Sequence, residues 1–95
     1  MRTFTLILQD ATHTQRIEQV TSFVGEDATG SFGILARHTR MMTSLVFGLA
    51  RFRTVENAWQ YLALPGAVLY FNDNELSLST RRYLMDDDYE RISIA

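Results

Sequence analysis

Trp59-Gln60-Tyr61-Leu62-Ala63-Leu64-Pro65-Gly66-Ala67-Val68-Leu69-Tyr70-Phe71-Asn72-Asp73-Asn74-Glu75-Leu76-Ser77-Leu78-Ser79-Thr80 reads as three strands and two turns. Trp59, Tyr61 and Ala63 alternate with Gln60, Leu62 and Leu64, the two-residue repeat of a strand with two unlike faces. Leu64-Pro65-Gly66-Ala67 carries Pro and Gly where a type II turn wants them, because proline pre-sets its φ and glycine accepts the positive φ that follows. Ala67 to Phe71 is nearly continuously apolar, Asn72-Asp73-Asn74 is a tight loop, and Glu75 to Thr80 alternates again through Leu76 and Leu78. Just upstream, Ala50 and Phe52 alternate with Arg51 and Arg53, and Glu56-Asn57 supplies the turn of a hairpin with the Trp59 strand. Short strands separated by frequent turn signals predict an all-β fold, a small antiparallel β-sandwich or flattened barrel.

The flanks agree in part. Phe4, Leu6 and Leu8 alternate with polar neighbours as an opening strand, and Asp10 to Thr14 is a turn. From Arg16 to Val24 the parity of the apolar positions shifts midway, which predicts two short strands or one bulged strand. Gly25 to Gly33 holds three of the five glycines and is expected to be a turn or loop. Met41 to Phe47 suits one or two helical turns as well as irregular packing, so its type stays open. Asp86, Asp87 and Asp88 stand where carboxylates favour the start of a helix, and the tail is expected to begin a helix at most.

Ninety-five residues make one domain, and a composition 46% apolar and 21% charged is that of a globular chain. Without cysteine, disulfides and thiolate chemistry are excluded. A net charge of −2, with arginines scattered among acids, argues against a nucleic-acid platform. No apolar run approaches a membrane span, and Met1-Arg2-Thr3 opens no signal peptide's apolar stretch.

No catalytic constellation stands out. His13 falls in a turn and reads as a solvated loop residue. His38 lies between Arg37 and Arg40 without a second ligand nearby, so it reads as a contact residue rather than a metal ligand or base. Gly25 to Gly33 lacks the lysine of a phosphate loop and carries two carboxylates; its functional reading is a recognition loop projecting from a rigid sheet. The consecutive aspartates lack the alternation of a calcium loop. Arg51 with Arg53, and Arg81 with Arg82, read as surface charge, and Met41 with Met42 as packing filler. Neither metal nor cofactor is expected.

Gly25-Glu26-Asp27, then Phe32-Gly33-Ile34-Leu35, then His38, then Gly48 before a strand, resembles the amino-terminal domain of the epsilon subunit of rotary ATP synthases. Tyr61 to Leu69 and Asn74-Glu75-Leu76-Ser77-Leu78 continue the likeness, which covers about residues 3–85. Ala28 and Thr29 lengthen the glycine-rich stretch; Ala36-Arg37 and Thr39-Arg40 replace the family's Pro-Gly and Ala-Pro around His38. These departures suggest a divergent branch, such as the N-type, sodium-linked synthases.

The resemblance implies an epsilon-type sandwich over residues 1–85, with 86–95 as the start of a truncated or missing carboxy-terminal helical hairpin. It implies a non-catalytic subunit of the central stalk, docking the gamma subunit to the c-ring and coupling ion translocation to ATP chemistry in other subunits. The alpha and beta subunits would be met only through a hairpin. The implied place is peripheral, at the cytoplasmic face of a bacterial cell membrane. Glu26, Asp27, Ser31, Arg37, His38 and Arg40 are the expected c-ring contacts. Asp88 and Arg91 match only part of the family's ATP-binding signature, and ATP binding is not expected from them. Two rival readings are a stand-alone sandwich binding a peptide or small molecule, and a small hydrolase using His13 or His38 with an acid.

Overall fold

In the computed structural model, which describes residues 2–56 and 58–93, the alternating stretches become strands with their apolar faces inward. The elements are β1 Phe4–Gln9, β2 Thr14–Asp27, β3 Gly30–Leu35, β4 Met41–Leu45, β5 Gly48–Thr54, β6 Trp59–Leu64, β7 Ala67–Asn72, β8 Glu75–Ser79, β9 Leu84–Asp86 and α1 Tyr89–Ser93. They form one continuous hydrogen-bonded sheet that folds over on itself. One layer holds β4, β7, β8, β1 and the first half of β2; the other holds β3, the second half of β2, β5, β6 and β9. The expected all-β sandwich is therefore what the chain builds.

The core is apolar throughout. Phe4, Leu6, Leu8, Leu69, Phe71, Leu76 and Leu78 face it from the first layer; Val20, Phe23, Ile34, Phe52 and Leu62 face it from the second. No polar or charged residue is buried among the described residues, so the core is held by burial and packing without internal polar links.

β2 is the strand shared by both layers. It pairs with β1 through Thr14–Val20 and with β3 and β5 through Val20–Asp27. Its ladders slip between Leu6 and Phe4 and again between Val20 and Ser22, and Gln19, with φ 59°, lies inside the first slip, between Ile17 and Val20. The midway parity shift is thus a bulge in one continuous strand, which bends from one layer into the other.

Several expectations need correction. Gly25 to Gly33 is no loop: it is the β2–β3 hairpin, with only Ala28 and Thr29 in the turn. Gly25 and Gly33 have no positive φ; Gly30, at 124°, does. Met41–Leu45 is a strand, paired with β7. Among the described residues the ladders are antiparallel except one, since β1 runs parallel to β8. Gly66 takes a positive φ of 139°, as a turn glycine should, yet β6 and β7 do not pair, and the turn carries the chain from the second layer to the first. Leu84–Asp86 adds a strand beside β6, and α1 seats Ile92 against the sandwich. Asp73 and Asn74 form the β7–β8 turn with left-handed φ of 53° and 61°, as the Asn-Asp-Asn stretch predicts. Glu56 lies in a turn, and Asn57 lies outside the described residues.

Candidate functional site

At the tip of the β2–β3 hairpin Asp27 is occupied structurally. Its Oδ1 accepts from the Thr29 amide at 2.9 Å and the Thr29 hydroxyl at 2.6 Å, and its Oδ2 accepts from the Thr43 hydroxyl at 2.9 Å. These bonds, led by that from the Thr29 hydroxyl, hold its carboxyl below the usual carboxylate range. The tip is also tied to β4: Asp27 bridges to Leu45, and the Val46 amide donates to the Glu26 carbonyl at 3.0 Å. Glu26 and Ser31 are cross-strand partners with exposed side chains, and Glu26 makes no ion pair among the described residues.

The other three expected contacts lie in the loop that follows β3. Arg37 is exposed and left-handed, at φ 64°, and its amide donates to Asn74 Oδ1 at 2.8 Å. The His38 amide donates to the Leu35 carbonyl at 3.2 Å. Its Nδ1 lies 2.8 Å from the Thr39 carbonyl oxygen, and its ring stands edge-on to Phe71 at 5.8 Å. Arg40 is exposed, with its guanidinium 5.8 Å from the Tyr70 ring centre.

The six residues therefore form two groups. Glu26, Asp27 and Ser31 stand at one end of β3, and Arg37, His38 and Arg40 at the other, so a strand length of roughly 17–20 Å separates them. The first group is acidic and hydroxylic; the second is basic. Sequence reasoning missed Thr43, Phe71 and Asn74, which hold the two groups in shape. Asn74 carried a signal, because glycine is the ordinary residue at the second position of a tight left-handed turn.

Asp88 and Arg91 are engaged within the tail. Asp88 caps α1, its Oδ1 accepting from the Arg91 amide at 3.2 Å. The Arg91 guanidinium grips Asp86 through two bonds of 2.8 and 2.7 Å, which drive the Asp86 carboxyl far below its ordinary range. His13 sits on an exposed turn with Nδ1 3.2 Å from Asp10 Oδ1. No group of three or more His, Asp or Glu among the described residues is placed to hold a metal ion. No helix among them is long and apolar enough to cross a membrane.

The outer face of the second layer is aromatic and cationic. Arg51 and Arg53 stack over Trp59 at 4.7 and 4.8 Å, and Tyr61 meets the Tyr89 ring edge-on at 5.4 Å. A groove of about 450 Å³, lined by Phe47, Leu49, Leu64, Tyr83, Leu84 and Ile92 among others, runs beside α1. Small-molecule sites combine an apolar lining with converging polar groups, and this groove offers few.

The family model for the ATP synthase Delta/Epsilon chain, beta-sandwich domain, matches residues 3–85. The chain is 33% identical over 76 residues to the ATP synthase epsilon chain 2 of Cereibacter sphaeroides, covering 79% of this chain and 52% of that one. It is 39% identical over 46 residues to the chloroplastic ATP synthase epsilon chain of Mesostigma viride, covering 48% and 35% respectively. Its fold matches a chain in the Euglena gracilis mitochondrial ATP synthase OSCP/F1/c-ring structure, with a TM-score of 0.83, 16% identity and coverage of 99% and 61%. A chain of the Tetrahymena thermophila mitochondrial ATP synthase central stalk/c-ring gives a TM-score of 0.73 at 12% identity, with coverage of 88% and 69%. The chain spans about half the length of the Cereibacter sphaeroides relative. With the match running from the start of β1 into β9, the chain belongs to the ATP synthase delta/epsilon family, whose β-sandwich domain it carries.

Proposed function

We propose that this chain serves as an epsilon subunit of a rotary ATP synthase, a non-catalytic part of the central stalk that docks the gamma subunit to the c-ring. In this role it couples ion translocation to ATP chemistry carried by other subunits. The supporting observation is the family match across the whole sandwich. We further propose that the complex holds it at the cytoplasmic face of the cell membrane, and that the residues after β9 open the helical segment that follows the sandwich.

The ring-facing groups are Glu26 with Ser31 at the hairpin tip, and Arg37, His38 and Arg40 in the loop. Asp27 shapes the tip rather than meeting the ring, because both carboxylate oxygens are already bonded. Two charged groups of opposite sign at a fixed spacing suit polar ring loops, where rim charges set orientation more than affinity. No nucleotide role is proposed for Asp88 and Arg91, whose side chains serve the cap and the Asp86 pair.

Reconstitution with purified gamma subunit and c-ring tests the proposal. The chain is expected to co-migrate with gamma at micromolar concentrations on size exclusion. Arg37→Glu with Arg40→Glu is expected to weaken ring association about tenfold or more while leaving the fold intact. Absence of co-migration, or ring association indifferent to both reversals, overturns it.

A further inference from the structure

Three segments distant in sequence meet at one corner of the first layer: the start of β1, the 36–40 loop and the β7–β8 turn. They are fastened twice. The polar fastening is one side chain: Asn74 Nδ2 donates to the Thr3 carbonyl at 2.8 Å, and its Oδ1 accepts from the Arg37 amide at 2.8 Å. The Asn74 carbonyl also accepts from the Thr5 amide at 3.3 Å. The second fastening is a chain of rings from the same segments. Phe4 meets Phe71 edge-to-face at 5.6 Å, and Phe71 meets His38 edge-to-face at 5.8 Å. Phe4 and Phe71 are buried, so this chain starts in the core and ends at the half-buried His38.

The identity of residue 74 separates the needs of the turn from those of the loop. The turn requires only a backbone that accepts φ 61°, which glycine does at least cost. Asparagine tolerates that conformation, and here both ends of its amide are used. Arg37 stands at φ 64°, which a long side chain seldom adopts, and its amide is the donor that Asn74 holds. We infer that Asn74 is the positioning residue of the Arg37–Arg40 loop, so that the β7–β8 turn sets where Arg37, His38 and Arg40 stand. For what the loop docks against, this rests on the proposed function; for how the loop is held, it does not.

One chemical consequence concerns His38. A carbonyl oxygen only accepts, so in this contact His38 Nδ1 is the donor to Thr39. The loop then presents two guanidinium groups flanking an imidazole whose Nδ1 is already engaged.

The test uses Asn74→Gly, which keeps the turn and deletes the clamp, and Asn74→Asp, which keeps the Oδ1 acceptor and loses the Nδ2 donor. Hydrogen exchange of the full chain is read by NMR, with the thermal midpoint measured beside it. Asn74→Gly is expected to speed exchange of the Arg37 amide about tenfold or more, to shift the His38 ring resonances, and to spare core amides such as Leu69. Asn74→Asp is expected to keep Arg37 protection. Unchanged Arg37 exchange and His38 resonances in Asn74→Gly, or a uniform loss of protection that follows global stability, overturns the inference. Ring association of the same variant, set beside His38→Ala, reports separately on docking: indifference to both removes the docking role and leaves the exchange result to judge the clamp.

Discussion

Gly25 lies inside β2 with no positive φ, so replacing it by alanine tests space alone. A Cβ there would stand 2.9 Å from Phe23 Cε1, 3.2 Å from Leu45 Cδ2 and 3.4 Å from Phe32 Cζ. Carbon atoms pack best at roughly 3.5–4.0 Å, so the first two contacts must open. Phe23 is fully enclosed and Leu45 nearly so, which leaves neither ring nor methyl a free direction. Relief must come from off-rotamer side chains or a shifted strand, at a cost of about 1–3 kcal/mol. For a domain near this length, that lowers the thermal midpoint by roughly 5–20 °C. Gly33→Ala is the matched control: its Cβ meets nothing nearer than the Phe23 carbonyl oxygen at 3.8 Å, an ordinary contact. Removing that glycine restricts the unfolded chain, so the control is expected to melt at the wild-type temperature or about 1–5 °C higher. Thermal unfolding followed by far-ultraviolet circular dichroism decides between them. Equal losses in both variants, or a Gly25→Ala midpoint matching wild type, would refute the reasoning from space.

Acid should destabilise the fold in a defined window. Asp10 is held below its ordinary value first by the Thr12 amide, Asp27 by the Thr29 hydroxyl and Asp86 by Arg91. Folded values below the unfolded 3.8 mean that their contribution is complete above that pH and is lost as pH falls through the folded values. Thermal midpoints should therefore hold from about pH 7 to 5 and drop below about pH 4, with a shallower acid limb in Asp27→Asn; an identical limb in that variant counts against the Asp27 bonds. Trp59 is the single tryptophan, so Arg51→Ala and Arg53→Ala should each change its emission and cost about 0.5–1 kcal/mol in denaturant titrations; an unchanged spectrum would deny the stacking. Phe71→Ala empties a fully buried site and should cost about 3–5 kcal/mol and displace the His38 resonances, whereas stability within 1 kcal/mol of wild type, by the same titration, would show the site collapses freely.

How far the residues alone disclosed this structure depended on whether a signal was local. Phe4, Leu6 and Leu8 alternate because one face of β1 meets the core, and that pattern is visible without coordinates. Asp73-Asn74 is readable for the same reason, since its left-handed turn needs those residue types. Gly25 and Gly33 misled because glycine serves two ends: it admits positive φ, and it leaves room. Here Gly25 leaves room for Phe23, which only the folded packing reveals. Met41–Leu45 showed no strand pattern, because Met42 faces outward and the element is defined by pairing with β7. Resemblance drew the six contact residues from the Gly25–Gly33 stretch and the segment around His38, and the strand length that separates the two follows from β3 being an extended strand. Asn74 went unseen because its partners, Thr3 and Arg37, are local to it only in space.

The parallel pairing of β1 with β8 has a consequence for how the chain reaches its fold. The β2–β3 and β7–β8 hairpins turn on two residues each and form on microsecond timescales. Joining Thr5 to Glu75 instead closes a loop of roughly 70 residues, an entropic cost met before any contact rewards it. On a ribosome β1 emerges well before β8, so the strand that covers its second edge is made only about 70 residues later. Until β8 arrives, one edge of β1 has no strand to pair with. Completion of the first layer is therefore expected late in folding, and until then the open edge of β1 is the place where aggregation should start.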